Sequence, residues 1–237
     1  MAIRKTIKTI ALLSCMFPIA FNAIAIENTS NISMSNFVTV KVGLNNSKVT
    51  TKNNNAGVDS VDYSYLAGVE LGRKITDIFS VGIEYNYKSK SDLNIPNYQG
   101  SRGSLSSNWK VRSSALMLNI SADLMQKSKI TPYVKLGVGL SRNTSYSDTF
   151  KATFRSGTTL TATSPGETKN NFAWQAGLGV TMDYNERIST DISYSFMNRG
   201  KFTTKQYINV NNKNYILAAR TIKLQDQIIA VGLKVKF

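Results

Sequence analysis

The sequence predicts an all-β protein, an eight-stranded antiparallel up-and-down transmembrane β-barrel preceded by a cleaved signal peptide. Three observations carry that expectation. Apolar and polar residues alternate with a period of two along most of the chain. The segments between the alternating runs are by turns long and short. The one unbroken apolar run lies at the start, behind a basic cluster.

The clearest unit is Asn171 to Phe196. Phe172, Trp174, Ala176, Leu178, Val180, Met182 and Tyr184 share one parity, and Ala173, Gln175, Gly177, Gly179, Thr181 and Asp183 share the other. Asn185-Glu186-Arg187 breaks the pattern. Ile188, Thr190, Ile192, Tyr194 and Phe196 then alternate with Ser189, Asp191, Ser193 and Ser195. Successive side chains of a strand point to opposite faces, so this is a hairpin with one apolar and one small or polar face. The first arm exceeds, and the second meets, the roughly 9–11 residues that a tilted strand needs to cross a bilayer. Rings lie near the ends of the apolar faces, where a membrane strand meets the water interface.

Residues 1–25 have the parts of a secretory signal. Arg4, Lys5 and Lys8 precede the apolar run Ile10 to Ile19, and Ala23-Ile24-Ala25 is a small-x-small site with cleavage expected after Ala25. Residues 26–35 read as a short periplasmic lead-in and 36–237 as the barrel. No later stretch is apolar enough for a membrane helix, so strands must do the spanning.

The strands follow in order. The first is Asn36 to Asn45, then a loop to Asp62. Tyr63 to Gly72 and Ile78 to Lys88 flank the short turn Arg73 to Asp77, and Ser89 to Asn108 is a long polar loop. Trp109 to Leu124 and Thr131 to Asn143 flank the turn Met125 to Ile130, and Thr144 to Asn170 is a Thr/Ser-rich loop. The hairpin above supplies the sixth and seventh strands. Met197 to Arg220 is the last long loop, and Thr221 to Phe237 the eighth strand. Long loops on one rim, short turns on the other and an even strand count allow the sheet to close and lose its edges.

A soluble barrel also alternates, with its apolar face inward. The polar face here carries Lys41, Glu70, Glu84, Lys135, Asp191 and Lys234 at mid-strand, mixed with glycines. Such a face suits a narrow lumen in which charges pair and glycines make room, and it predicts that the apolar face points to lipid. Asp191 and Lys234 are expected as neighbours on the last two strands.

Several stretches resemble small outer-membrane barrels of the OmpA/opacity, or surface-antigen, type. Pro132-Tyr133-Val134-Lys135-Leu136-Gly137-Val138-Gly139-Leu140 is similar to their PYxxxGxG strand, and Gln175-Ala176-Gly177-Leu178-Gly179-Val180 to the strand after it. Asp191-Ile192-Ser193-Tyr194 resembles the next strand, and Val231-Gly232-Leu233-Lys234-Val235-Lys236-Phe237 the C-terminal signal read by the barrel-assembly machinery, with Phe237 as its last residue. The resemblance covers roughly Phe37 to Phe237. It implies an outer-membrane location with long loops outside the cell. Members include structural barrels, narrow pores, surface antigens and adhesins, so it implies activity weakly.

Histidine is absent and the only cysteine is Cys15, inside the leader. That removes imidazole metal sites and Ser-His or Cys-His catalytic sets. No catalytic, cofactor or metal site is expected. Glu70 with Glu84, and Asp183 with Asp191, lie on one face on either side of a turn and could form carboxylate pairs. Ion pairing with the lumen lysines is the favoured account.

The chain is basic, with 29 Lys+Arg against 14 Asp+Glu. Lys90, Arg102, Arg199, Lys201, Lys205, Lys213, Tyr215 and Arg220 fall in or beside the two basic loops, and are the candidate recognition residues. Such a rim suits anionic partners, either host-cell glycans or receptors or the phosphates of the bacterium's own lipopolysaccharide. No nucleic-acid module is recognisable. The expected function is a non-enzymatic surface protein, an adhesin or surface antigen; the alternatives are a narrow porin-like channel and a purely structural barrel.

Overall fold

A computed structural model describes residues 36–52, 62–100, 103–125, 129–146, 148–154, 156–157, 159–164, 166–210 and 213–237. Met34–Phe237 is one compact unit. The expected leader and lead-in, residues 1–35, lie outside the described residues.

Ten strands form one antiparallel sheet: β1 (Asn36–Lys52), β2 (Asp62–Lys74), β3 (Phe79–Gly100), β4 (Gly103–Asp123), β5 (Ile130–Ser145), β6 (Asp148–Phe154), β7 (Thr159–Ser164), β8 (Glu167–Asp183), β9 (Ile188–Val210) and β10 (Lys213–Lys236). Eight of them make the wall, in the order β10-β1-β2-β3-β4-β5-β8-β9, and the β9–β10 ladder shuts it. β6 and β7 prolong β5 and β8. β6 continues along β4, with Gly103 opposite Phe154, and β7 meets β9 at Ala162 opposite Ile208. The start of β1 and the residue after β10 meet on the opposite rim, where Asn36 and Phe237 exchange backbone hydrogen bonds of 3.2 and 2.9 Å.

Short polar side chains fix the tight turns on that rim. Asn185 Oδ1 accepts from the backbone N–H groups of Arg187 and Ile188 at 2.9 and 2.7 Å. Thr76 Oγ1 accepts from those of Ile78 and Phe79 at 3.2 and 2.9 Å. These bonds replace ladder bonds that the reversing backbone would otherwise leave unmade.

The other rim corrects the sequence expectation. Ser89–Asn108 and Met197–Arg220 are paired β-ribbons in their described parts, with Asp92 opposite Lys110 and Lys213 opposite Val210. The expected loop Thr144 to Asn170 contains β6 and β7. Beyond the bilayer both strand faces meet water, so the apolar alternation fades. The backbone still needs hydrogen-bond partners, and continuing the ladder supplies them.

The faces are disposed as a membrane requires. Leu71, Ile83, Leu116, Leu118, Leu136, Leu140 and Leu178 are exposed on the outside, while Glu70, Glu84, Asn119 and Gln175 are buried inside. A soluble barrel would reverse them. Phe172, Trp174, Tyr65 and Tyr87 lie toward the ribbon side of this belt, and Phe79, Tyr184 and Phe237 toward the turn side. Trp174 and Phe196 pack against each other with centroids 5.4 Å apart.

Candidate functional site

The lumen is filled in three layers. On the turn side lies an ion-paired layer. Glu70 and Glu84 stand directly opposite each other on β2 and β3. Lys41 Nζ reaches Glu84 at 2.7 Å, and Lys135 Nζ lies 2.6 Å from Glu70 and 3.9 Å from Glu84. Asn119 donates to Glu84 at 2.9 Å and to Glu70 at 3.3 Å, and Gln175 donates to the Asn119 carbonyl oxygen at 2.7 Å. Two cations and two amides thus hold both carboxylates. The geometry is a cross-braced plug, and the carboxylates are occupied rather than presented to a substrate. Gly137 makes it possible: a Cβ there would run into Asn119 Oδ1 and stand 3.0 Å from Gln175 Cγ. A cavity of about 20 Å³ remains beside Lys41, Tyr133 and Lys135, roughly room for one water.

The middle layer is mostly apolar, with the buried Asn86 placing its Nδ2 4.0 Å from Met197 Sδ. Leu66, Ala115, Met117, Ala173, Met197, Ile228 and Ala230 are all buried. Along the strands they fall between the residues of the first layer and those of the third.

The third layer, toward the ribbons, was not legible as a site in the sequence expectation. Asp226 on β10 is fully buried. It accepts from Arg199 Nε, from Ser47 Oγ at 2.9 Å and from Lys88 Nζ at 3.3 Å. Lys88 also donates to Ser47. The Arg199 backbone carbonyl accepts from Ser141 and Asn143 at 2.6 and 2.8 Å. Arg199 was expected on the recognition rim. It is instead 0% exposed and belongs to the interior. The signal was available in the parity: Asp191, Ser193, Ser195, Met197 and Arg199 fall on one face, as do Gly232, Ala230, Ile228 and Asp226.

Two other expected lumen charges behave differently. Asp191 is opposite Gly232 and Lys234 opposite Ser189, so the two are offset along the ladder and make no ion pair. Lys234 sets its ammonium 4.3 Å over the Phe37 ring. Near the turn rim, Asp183 pairs with Lys236 at 2.7 Å.

Of the four β-bulges in the β3–β4 and β9–β10 ribbons, the two nearest the lumen sort the charges at its mouth. On β3, Ser89 and Lys90 stand opposite the single residue Arg112, between the pairs Lys88–Ser113 and Ser91–Val111. On β9, Arg199 and Gly200 stand opposite Leu224, between Asn198–Gln225 and Lys201–Lys223. Gly200 has φ 82°, which a side chain disfavours. An extra residue flips the facing of all that follows. Lys90 and Lys201 are exposed, whereas Lys88 and Arg199 are buried. Arg102 and the side chains of Lys205, Lys213, Tyr215 and Arg220 lie outside the described residues.

Comparisons with known proteins agree with this architecture. A family profile described as "Outer membrane protein beta-barrel domain" matches residues 17–237. The chain belongs to that family. It is an integral outer-membrane protein that crosses the membrane with its strands. Outer membrane protein PagN of Salmonella typhimurium is 36% identical over 92 residues, which is 39% of this chain. The match spans only 36% of PagN's own length. Among solved structures, neisserial surface protein A is 14% identical, with 84% of this chain and 97% of that one covered and a TM-score of 0.49. OprG of Pseudomonas aeruginosa is 15% identical, with 84% and 95% covered and the same TM-score of 0.49.

Proposed function

We propose that this barrel is a non-enzymatic surface protein whose extracellular ribbons recognise anionic partners, among them sulfated host-cell glycans. One observation carries the reading: the wall continues well past the lipid belt as basic ribbons while the lumen beneath is filled. β9 and β10 run for 23 and 24 residues, about twice what a tilted crossing needs. Lys201 is exposed on β9, and Lys205, Lys213, Tyr215 and Arg220 belong to the same ribbon. Clustered cations raise the rate at which an anionic surface is met and add affinity on contact. The paired carboxylates and the apolar layer oppose the channel alternative, because a permeating ion would have to break both. Phe237, exposed at the end of the closing strand, is the proposed mark for the assembly machinery.

The test is attachment. The protein is displayed on a non-adherent bacterium and cells bound to a heparan-sulfate-bearing epithelial layer are counted. Wild type binds, and a variant with Lys201, Lys205, Lys213 and Arg220 changed to Ser loses binding at equal surface level. Equal binding by the two strains removes the last ribbon as the site. Binding by neither strain above the empty host removes glycan recognition altogether, and single-channel recording on the refolded barrel then decides whether the lumen conducts.

A further inference from the structure

A second basic surface lies lower on the wall, at the upper edge of the lipid belt. It is built by β3, β4 and β5. The β3 bulge turns Lys90 outward, and its ammonium sits 4.3 Å from the centroid of the Tyr146 ring. The guanidinium of Arg112 lies 5.8 Å from the same centroid. Arg142 faces Ser114 on the ladder, while Arg112 faces Thr144, so the two arginines are diagonal neighbours roughly 7–8 Å apart at the backbone. Lys90, Arg112 and Arg142 are all exposed. Among the described residues, none of the three makes an ion pair with a carboxylate. Lys90 and Arg112 share the Tyr146 ring, and among the described residues no carboxylate offsets the repulsion between the three cations.

The height of this patch matters. The next outward residue below Arg142 on β5 is Leu140, and below Arg112 on β4 come Ser114 and then Leu116; both leucines are exposed in the lipid belt. Two residues of strand rise roughly 6.6 Å before tilt and four roughly 13 Å, so Arg142 stands just above the leucines and Arg112 one step higher. The cations thus stand at the level of lipid headgroups, well below the ribbon tips. Tyr146 repeats the interfacial placing of aromatic rings at that level.

We infer that Lys90, Arg112, Arg142 and Tyr146 form a binding site for the phosphates of an outer-leaflet glycolipid headgroup. Lipid A carries phosphate groups at this depth, and a phosphate between Arg112 and Arg142 accepts charge-assisted hydrogen bonds from both guanidinium forks. Lys90 supplies a third cation on the same headgroup. The site is distinct from the last ribbon and does not depend on recognition there.

The experiment uses the refolded full barrel in phosphatidylcholine nanodiscs. Binding is read by native mass spectrometry with bis-phosphorylated lipid A, with its dephosphorylated form and with inorganic phosphate. The expected result is binding of the phosphorylated lipid only, weakened roughly fivefold by Arg112→Gln and roughly a hundredfold by the triple change Lys90→Ser, Arg112→Gln, Arg142→Gln, since each cation near an anionic surface contributes about one factor of five. A control with Lys201, Lys205 and Lys213 changed to Ser keeps full lipid binding. Folding is checked for every variant by heat-modifiable migration on a detergent gel; if the triple variant does not fold, the single Arg112→Gln shift decides. Equal affinity for the dephosphorylated lipid, or unchanged affinity in Arg112→Gln, overturns the inference. Inorganic phosphate that binds as tightly as the lipid and is lost in the same variants overturns the lipid and leaves a free-phosphate site.

Discussion

Changing Asp226 to Asn removes the one carboxylate that faces Arg199 among the described residues, with almost no change of shape. Asp226 and Arg199 are both 0% exposed, and Lys88 beside them is 1% exposed. The substitution converts a paired buried charge cluster into two neighbouring buried cations held by a neutral amide. Breaking a buried pair in this way costs about 3–5 kcal/mol, most of it the desolvation of the charge left behind. Urea unfolding of the refolded barrel in micelles, followed by the fluorescence of its 2 tryptophans, measures the change. With a slope of ~2–3 kcal/mol per M, the midpoint falls by roughly 1–2 M. A second change tests the cause. Arg199→Met in the Asp226→Asn background removes the stranded guanidinium and recovers a large part of the loss, because apolar replacement of a buried pair is often neutral. A single variant within ~0.5 kcal/mol of wild type, or a double variant no better than the single, refutes the claim that this cluster is a structural ion pair.

Three further outcomes follow from the same geometry. Leu118→Lys places a charge on a lipid-facing residue that is 58% exposed; it costs ~2–4 kcal/mol near the midplane and lowers the yield of folded, protease-resistant protein in the outer membrane. Ile192→Asp and Val180→Asp act in the same direction, and normal assembly of all three would reverse the assigned faces. Gly137→Val drives a side chain into Asn119 and Gln175 and disrupts the cross-brace; overpacking of this kind costs about 1–3 kcal/mol, read as a lower unfolding midpoint.

Much of the barrel was legible because the bilayer imposes a rule on each spanning strand. Lipid on one side and a narrow lumen on the other force the period of two, and Glu70, Glu84, Asn119 and Gln175 sit where that parity puts them. Above the lipid the rule lapses. Ser89 to Asn108 looks like a loop because neither face is apolar, yet its backbone still pairs. That Glu70 and Glu84 share a face across one turn followed from the parity, although counting to the expected turn Arg73–Asp77 spaces them unequally. The offset of Asp191 from Lys234 did not, because it depends on where β10 meets β9 and not on either sequence alone. Arg199 shows the other limit. Its parity was readable, but its charge and its distance from the last apolar run suggested the surface.

The bulges are the part of the design that no parity count reveals, and they decide which cations serve the fold and which serve the outside. Were all the residues present but the alternation unbroken through β3, Lys90 would follow Lys88 into the lumen; were it unbroken through β9, Lys201 would follow Arg199. Four cations would then crowd Asp226. Gly200 permits the second bulge through its positive φ, and a Cβ there would also stand 2.5 Å from Asn171 Cβ. Gly200→Val therefore meets a backbone penalty and a clash together, about 2–3 kcal/mol in all. Deleting Gly200 should do far less harm. With one residue removed, Arg199 still faces Leu224 and Lys201 still faces Lys223, so every charge keeps its side of the wall and only the bulge is lost. Urea midpoints should rank wild type close to the deletion, with Gly200→Val well below both. If the deletion is the more damaging change, the bulge itself is what the fold requires, and the sorting of charges is its by-product.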